Sequence, residues 1–199
     1  MRGPLLICLA GVLASSVLAA APASASAASE CERIAGSPYD PRFEANPHWI
    51  EDAYAAIAIC SEALAANPGS SDLSTWLGRA YVEAFEEGKA VPHLKLGAEG
   101  GNRVAKVLYA RLLLDGIHVR KQPEAGLAML KPLVDEGFAP AQNLMGVAYD
   151  NGNGVPLDEE RAAELYRLAA DQGFAGAQVN LGVLYEEGRV VEQNYTEAL

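Results

Sequence analysis

Histidine is scarce in this chain, with three in 199 residues, and cysteine is equally rare. His48, His93 and His118 stand far apart, and none has a partner at ligand spacing. A zinc site or a catalytic triad needs convergent groups, and no such grouping is visible. Cys8, Cys31 and Cys60 include no C-x-x-C pair, which removes the usual zinc and redox motifs. Cations are also in short supply, 15 Lys and Arg against 26 Asp and Glu, for a formal net charge of −11. Such a surface repels phosphate backbones and anionic lipids, which argues against nucleic acid and favours a basic partner. Long apolar runs are missing too, except at the very start.

That start has the anatomy of a secretory signal. Arg2 precedes an uncharged run from Gly3 to Ala21, Pro22 breaks it, and Ala23, Ser24, Ala25, Ser26 and Ala27 give A-x-A exits. A spanning helix wants roughly 20 strongly apolar residues, and this run is diluted by alanine, serine and glycine. The expected organisation therefore opens with a signal peptide over 1–27, and the processed chain leaves the membrane. Lipidation at Cys8 is rejected, because Leu5, Leu6 and Ile7 before it are not small. Removing residues 1–27 takes away Arg2 and no acid, moving the net charge from −11 to −12. Of the cysteines, Cys31 and Cys60 remain. An even count in an exported chain predicts a disulfide between them.

What the sequence has in abundance is internal repetition, the first feature to seek when fold is in question. Gly137-Phe138-Ala139-Pro140-Ala141-Gln142 recurs 36 residues later as Gly173-Phe174-Ala175-Gly176-Ala177-Gln178. The same shift carries Gly146 to Gly182, Tyr149 to Tyr185, Gly152 to Gly188 and Val155 to Val191. Backwards it finds Ala105 under Ala141, Leu108 under Leu144, Gly116 under Gly152 and Val119 under Val155. No gap is needed from Gly101 to Leu199.

Each unit reads as a helical hairpin. The first helix of one runs from about Pro140 to Asp150, with Leu144, Met145, Ala148 and Tyr149 at helical spacing, and Gly152 closes it in the left-handed conformation. Asp158 caps the second helix, Ala162, Leu165, Leu168 and Ala169 form its buried stripe, and Gly173 stops it. In the neighbouring units the capping column holds Gln122, followed by Pro123, which suits a first helical position, and Asn194. Ala105, Ala141 and Ala177 share one small-residue column; Ala110, Gly146 and Gly182 share another, with Tyr149 and Tyr185 filling the space beside it. Upstream the period becomes 34, mapping Ala56, Cys60, Ala63 and Pro68 onto Ala90, Leu94, Gly97 and Asn102. The turn after Tyr81 is four residues shorter than later ones. Residues 28–50, rich in proline at Pro38, Pro41 and Pro47, read as an N-terminal cap and linker fastened by Cys31 and Cys60.

The stretches 141–173 and 177–198, with Asn180-Leu181-Gly182, Tyr185, Gly188 and Ala198, resemble the Sel-one-like repeat. Residues 53–102 resemble tetratricopeptide repeats. The resemblance implies an all-α fold, an α/α superhelical solenoid with tetratricopeptide-like repeats over 51–103 and Sel-one-like repeats over 104–199, the last incomplete. It also implies a groove lined by the first helix of each unit and used to assemble protein complexes. The 101–137 unit departs from the pattern: Ala110 replaces the usual glycine, Leu113 the tyrosine, and His118 stands where Gly154 stands later. At the far end, Val179, Leu181 and Leu184 would lack a covering helix, so the natural protein is expected to continue past Leu199.

Chemistry-bearing residues find structural explanations. His93 falls in the column of Met129 and Leu165, a core position. Asp150-Asn151-Gly152-Asn153-Gly154 fails as a calcium loop, because its third position is Gly152 and its twelfth Arg161. Gly152-x-Gly154 is too short for a phosphate cradle. Asn194-Tyr195-Thr196 matches a glycosylation sequon, but a helix cap explains Asn194. Glu83, Glu86 and Glu87 read as a solvated helix end. The expectation is an extracytoplasmic interaction scaffold that binds a partner protein or peptide, not an enzyme, without cofactor or metal. Two alternatives stand beside it. One is the non-catalytic repeat region of a longer exported protein. The other follows from cysteine-rich exported Sel-one-like proteins linked to β-lactam binding or hydrolysis; those carry a cysteine pair in each repeat, whereas no cysteine follows Cys60 here.

Overall fold

The computed structural model of the chain describes residues 23–39 and 50–189. Among them are nine helices and no strand: α1 (Ala23–Ala35), α2 (Ala53–Ala66), α3 (Ser71–Glu83), α4 (Glu87–Glu99), α5 (Arg103–Asp115), α6 (Pro123–Asp135), α7 (Ala139–Asn151), α8 (Glu159–Ala170) and α9 (Ala175–Glu186). The expected signal segment up to residue 22, His48, and the 190–199 stretch with Val191, Asn194 and its sequon lie outside the described residues. Residues 23–27, the tail of that segment in the sequence reading, form the first turns of α1.

Local chemistry sets the helix starts. The side chains of Asp52, Ser70, Asn102 and Asp158 accept hydrogen bonds from the free backbone N–H groups of α2, α3, α5 and α8, the usual role of such residues. Pro123 occupies the first turn of α6. The helix ends repeat with the sequence period. Gly116, Gly152 and Gly188 all have positive φ, at 75°, 61° and 65°. His118 keeps the turn of its column although it is not glycine, with φ 53° against 79° at Gly154. The loop geometry is thus common to both units, at a cost of about 1 kcal/mol for a side chain in the left-handed region.

Successive helices pair into antiparallel hairpins, and the first helices α1, α3, α5 and α7 also touch one another in turn. They form the inner row of a solenoid. The α3–α4 turn, residues 84–86, is shorter than its counterparts at 116–122 and 152–158, which accommodates the shorter period. The core is a chain of small clusters instead of one centre. Ala105, Ala141 and Ala177 are fully buried, as their shared column implies. Gly146 lies against the Tyr166 ring, so that a Cβ there would come within 2.7 Å of Cε1. The ring filling this space is therefore Tyr166 on the partner helix α8, not Tyr149 on the same helix.

Two positions differ from expectation. Leu168 is 50% exposed; the buried face of α8 is Ala162, Ala163, Leu165, Tyr166 and Ala169, which turns the stripe away from Leu168. Leu184 is buried at 1% because it packs on α8 with Ala162 and Tyr166, whereas Val179 on the same helix is 65% exposed.

At the other end α1 packs on α2 and α3, and the Cys31 and Cys60 sulfurs are bonded at 2.06 Å, with Cα atoms 4.9 Å apart. The bond is buried among Ala27, Ala35, Ala56, Ala63 and Trp76. By its 34-residue offset from α4, α2 is the second helix of a hairpin, and α1 takes the place of its first. The cap is a helix of full length.

Candidate functional site: the concave groove

The inner row encloses an elongated groove of about 250 Å³. Val82 comes from α3, Val104, Val107 and Leu108 from α5, and Leu144 from α7, with Phe138 and Phe174 from the turns before α7 and α9. The hairpin repeat explains this lining. Residues one helical turn apart on each first helix face inwards, and the 36-residue shift places equivalent residues side by side. The groove therefore follows the first helices, as the sequence resemblance implied.

Its polar groups are few and specific: Arg79, Glu83, Arg111, Asn143, Ser37 and Tyr39. Arg79 is buried, 6% exposed, and its Nη1 donates to the carbonyl oxygens of Ala35 (2.9 Å) and Gly36 (3.0 Å). Burial pulls the Arg79 pKa below the usual arginine range, opposed by the nearby Glu83 and Tyr39. Burial also raises the Tyr39 hydroxyl pKa, with Arg79 opposing it. Arg111 is half-buried, and its Nε is enclosed without a hydrogen-bond acceptor among the described residues. Asn143 accepts from Asn180 Nδ2 at 3.0 Å, tying α7 to α9 beside the groove.

The residues weighed in the sequence lie elsewhere or serve packing. His93 is half-buried, stacked on Tyr81 with ring centroids 5.8 Å apart, and its Nδ1 is 3.4 Å from Ser74 Oγ. Asp150, the first residue of the failed calcium loop, is taken up by Arg189 Nη2 at 2.5 Å and the Tyr166 hydroxyl at 3.3 Å. Glu86 pairs with Lys89, and Glu83 faces Arg79 in the groove, so the two are not one solvated cluster. The disulfide sits away from the groove lining.

Sequence reading passed over Arg79, Arg111 and Tyr39. A signal existed for Arg111: the 36-residue shift aligns it with Val147 and Val183, so a cation interrupts an apolar column. Tyr39 gave none, because it belongs to an irregular proline-rich segment outside the repeat register.

The Sel1 repeat family model matches residues 139–174 and 175–199. Residues 139–199 are Sel1 repeats. The fold of this chain is similar to that of solved repeat proteins. A Sel1 repeat protein from Oxalobacter formigenes matches at 23% identity over 88% of this chain and 67% of its own, with a TM-score of 0.62. A protective antigen of uropathogenic Escherichia coli with the same repeat fold matches at 27% identity and TM-score 0.55, over 71% of this chain. This chain spans only 31% of that antigen. No curated protein matches the chain by sequence. Sel1 repeat proteins are in general protein-interaction scaffolds.

Proposed function

We propose that this chain is an exported interaction scaffold whose concave groove holds an extended segment of a partner protein. The observation that carries the reading is the groove itself. It has an apolar wall of residues drawn from three successive first helices, beside Arg111, whose Nε has no acceptor among the described residues. Arg111 lines that wall half-buried, and its guanidinium can donate charge-assisted hydrogen bonds to a partner carbonyl or carboxylate. The polar lining, Arg79, Arg111, Glu83, Asn143 and Tyr39, suits hydrogen bonding and ion pairing, which supports a binding role over a catalytic one. Export is supported by the Arg2 start, the apolar run and the A-x-A exits, together with the paired cysteines.

The net charge of −11 acts at longer range than the groove. It steers a basic partner towards the molecule, while the groove, with two arginines and one glutamate, fixes the segment that docks. The protein, purified with its disulfide intact and immobilised, should recover a specific partner from an envelope or secreted fraction. Val107→Glu places a charge on the groove wall and should abolish that recovery, with circular dichroism of the variant showing that the helices are retained. Equal recovery by both proteins would overturn the assignment of the groove.

A further inference from the structure

The groove already holds a piece of this chain. Beyond the end of α1 the backbone leaves the helix and crosses the inner row. Arg79 grips the carbonyls of Ala35 and Gly36 from its Nη1, as it would grip the main chain of a bound peptide. Ser37 follows, 3% exposed, and Tyr39 then reaches the far wall. Its ring lies 5.2 Å from that of Phe174, with planes at 46°, and it packs on the cluster that includes Phe138 and Leu144, beside Val107. Tyr39 belongs to no helix and to no position of the repeat. The aromatic wall therefore receives a ring from an irregular segment. The Cys31–Cys60 bond, eight residues before Tyr39, keeps that segment close by.

We infer that the wall formed by Val107, Phe138 and Phe174 is a subsite for an aromatic side chain on an extended partner segment, with Tyr39 its tethered placeholder. This rests on the scaffold reading and names the chemistry of the segment. An aromatic ring fits because tilted ring pairs at such separations are favourable beyond the area they bury. The tether sets the threshold for a partner. A short linker holds Tyr39 at an effective concentration of about millimolar, so a partner must out-compete it.

The test uses a labelled peptide, Ser-Pro-Tyr-Asp-Pro-Arg, copying residues 37–42, followed by fluorescence anisotropy. Tyr39→Ala should bind it more tightly than the wild type, by about tenfold for a peptide Kd of about 0.1 mM, by removal of the millimolar competitor. Tyr39→Phe, which keeps the ring, should behave as the wild type. The peptide with serine in place of tyrosine should bind neither. Equal affinity for the wild type and Tyr39→Ala, or indifference to the peptide's tyrosine, overturns the inference. If Tyr39→Ala does not fold, methyl NMR of the wild type decides. The Val107 methyl signals should shift with the tyrosine peptide alone, and no shift at millimolar peptide overturns the subsite. Loss of tyrosine selectivity with partner recovery still sensitive to Val107→Glu would discard this inference and leave the scaffold standing.

Discussion

Gly126 shows how the stacking acts on one residue. It lies inside α6, where alanine would ordinarily stabilise a helix by about 1 kcal/mol. Here a Cβ would meet the Ala110 carbonyl oxygen at 2.9 Å and Leu114 Cγ at 3.1 Å, and the backbone oxygen cannot swing aside. Gly126→Ala is expected to destabilise by about 1–3 kcal/mol, read from urea unfolding; a stabilised variant would mean the α5–α6 contact is looser than described. His93 provides the pH dependence. Burial lowers its pKa from the ordinary value near 6.5, and the groups facing it are Ser74 and the Tyr81 ring, itself under Lys89. The unfolded chain then takes up the proton first as pH falls. The stabilisation from neutral His93 is complete above the unfolded pKa and is lost as pH drops through 6.5 towards the folded value. Melting temperature should fall more between pH 7 and pH 5 in the wild type than in His93→Gln. A similar fall in both would place the titration on other groups.

At the scale of the helix, caps and the disulfide are separable contributions. Asp158 accepts from the Arg161 N–H at 2.9 Å, so Asp158→Ala should cost about 1 kcal/mol by the same urea measurement. Replacing Cys31 and Cys60 by serine opens a loop with a sequence separation of 29. The chain-entropy model puts the loss at about 3–4 kcal/mol, and an unchanged unfolding midpoint would show that α1 docks without the bond. Nearly all of these elements were legible in the sequence, because each unit restates the same cap, stripe and left-handed stop. Asp158, Pro123 and Gly152 could be placed without coordinates. Leu168 could not. Apolar spacing identifies a helix, but which side of a wide stripe is covered depends on how its neighbours are rotated. The same limit hid the role of α1, whose alanine-rich sequence reads as the tail of a signal and yet supplies the inner helix of the first hairpin.

For the whole molecule, each hairpin touches mainly its neighbours, so stability accumulates along the solenoid and the inner row becomes one continuous surface. The existence of that surface followed from the repeat. Its chemistry did not, since Arg79 and Tyr39 meet only after the chain folds back, and Arg111 is distinctive only as an exception within an apolar column. The central claim is that partners dock in this groove and not on the outer helices. Site-specific photocrosslinking tests it directly. A benzoyl-phenylalanine at Val107 on the inner wall should yield a discrete adduct with a partner in the envelope or secreted fraction, while one at the exposed Leu168 on α8 should yield none. Adducts from Leu168, with Val107 silent, would contradict the account.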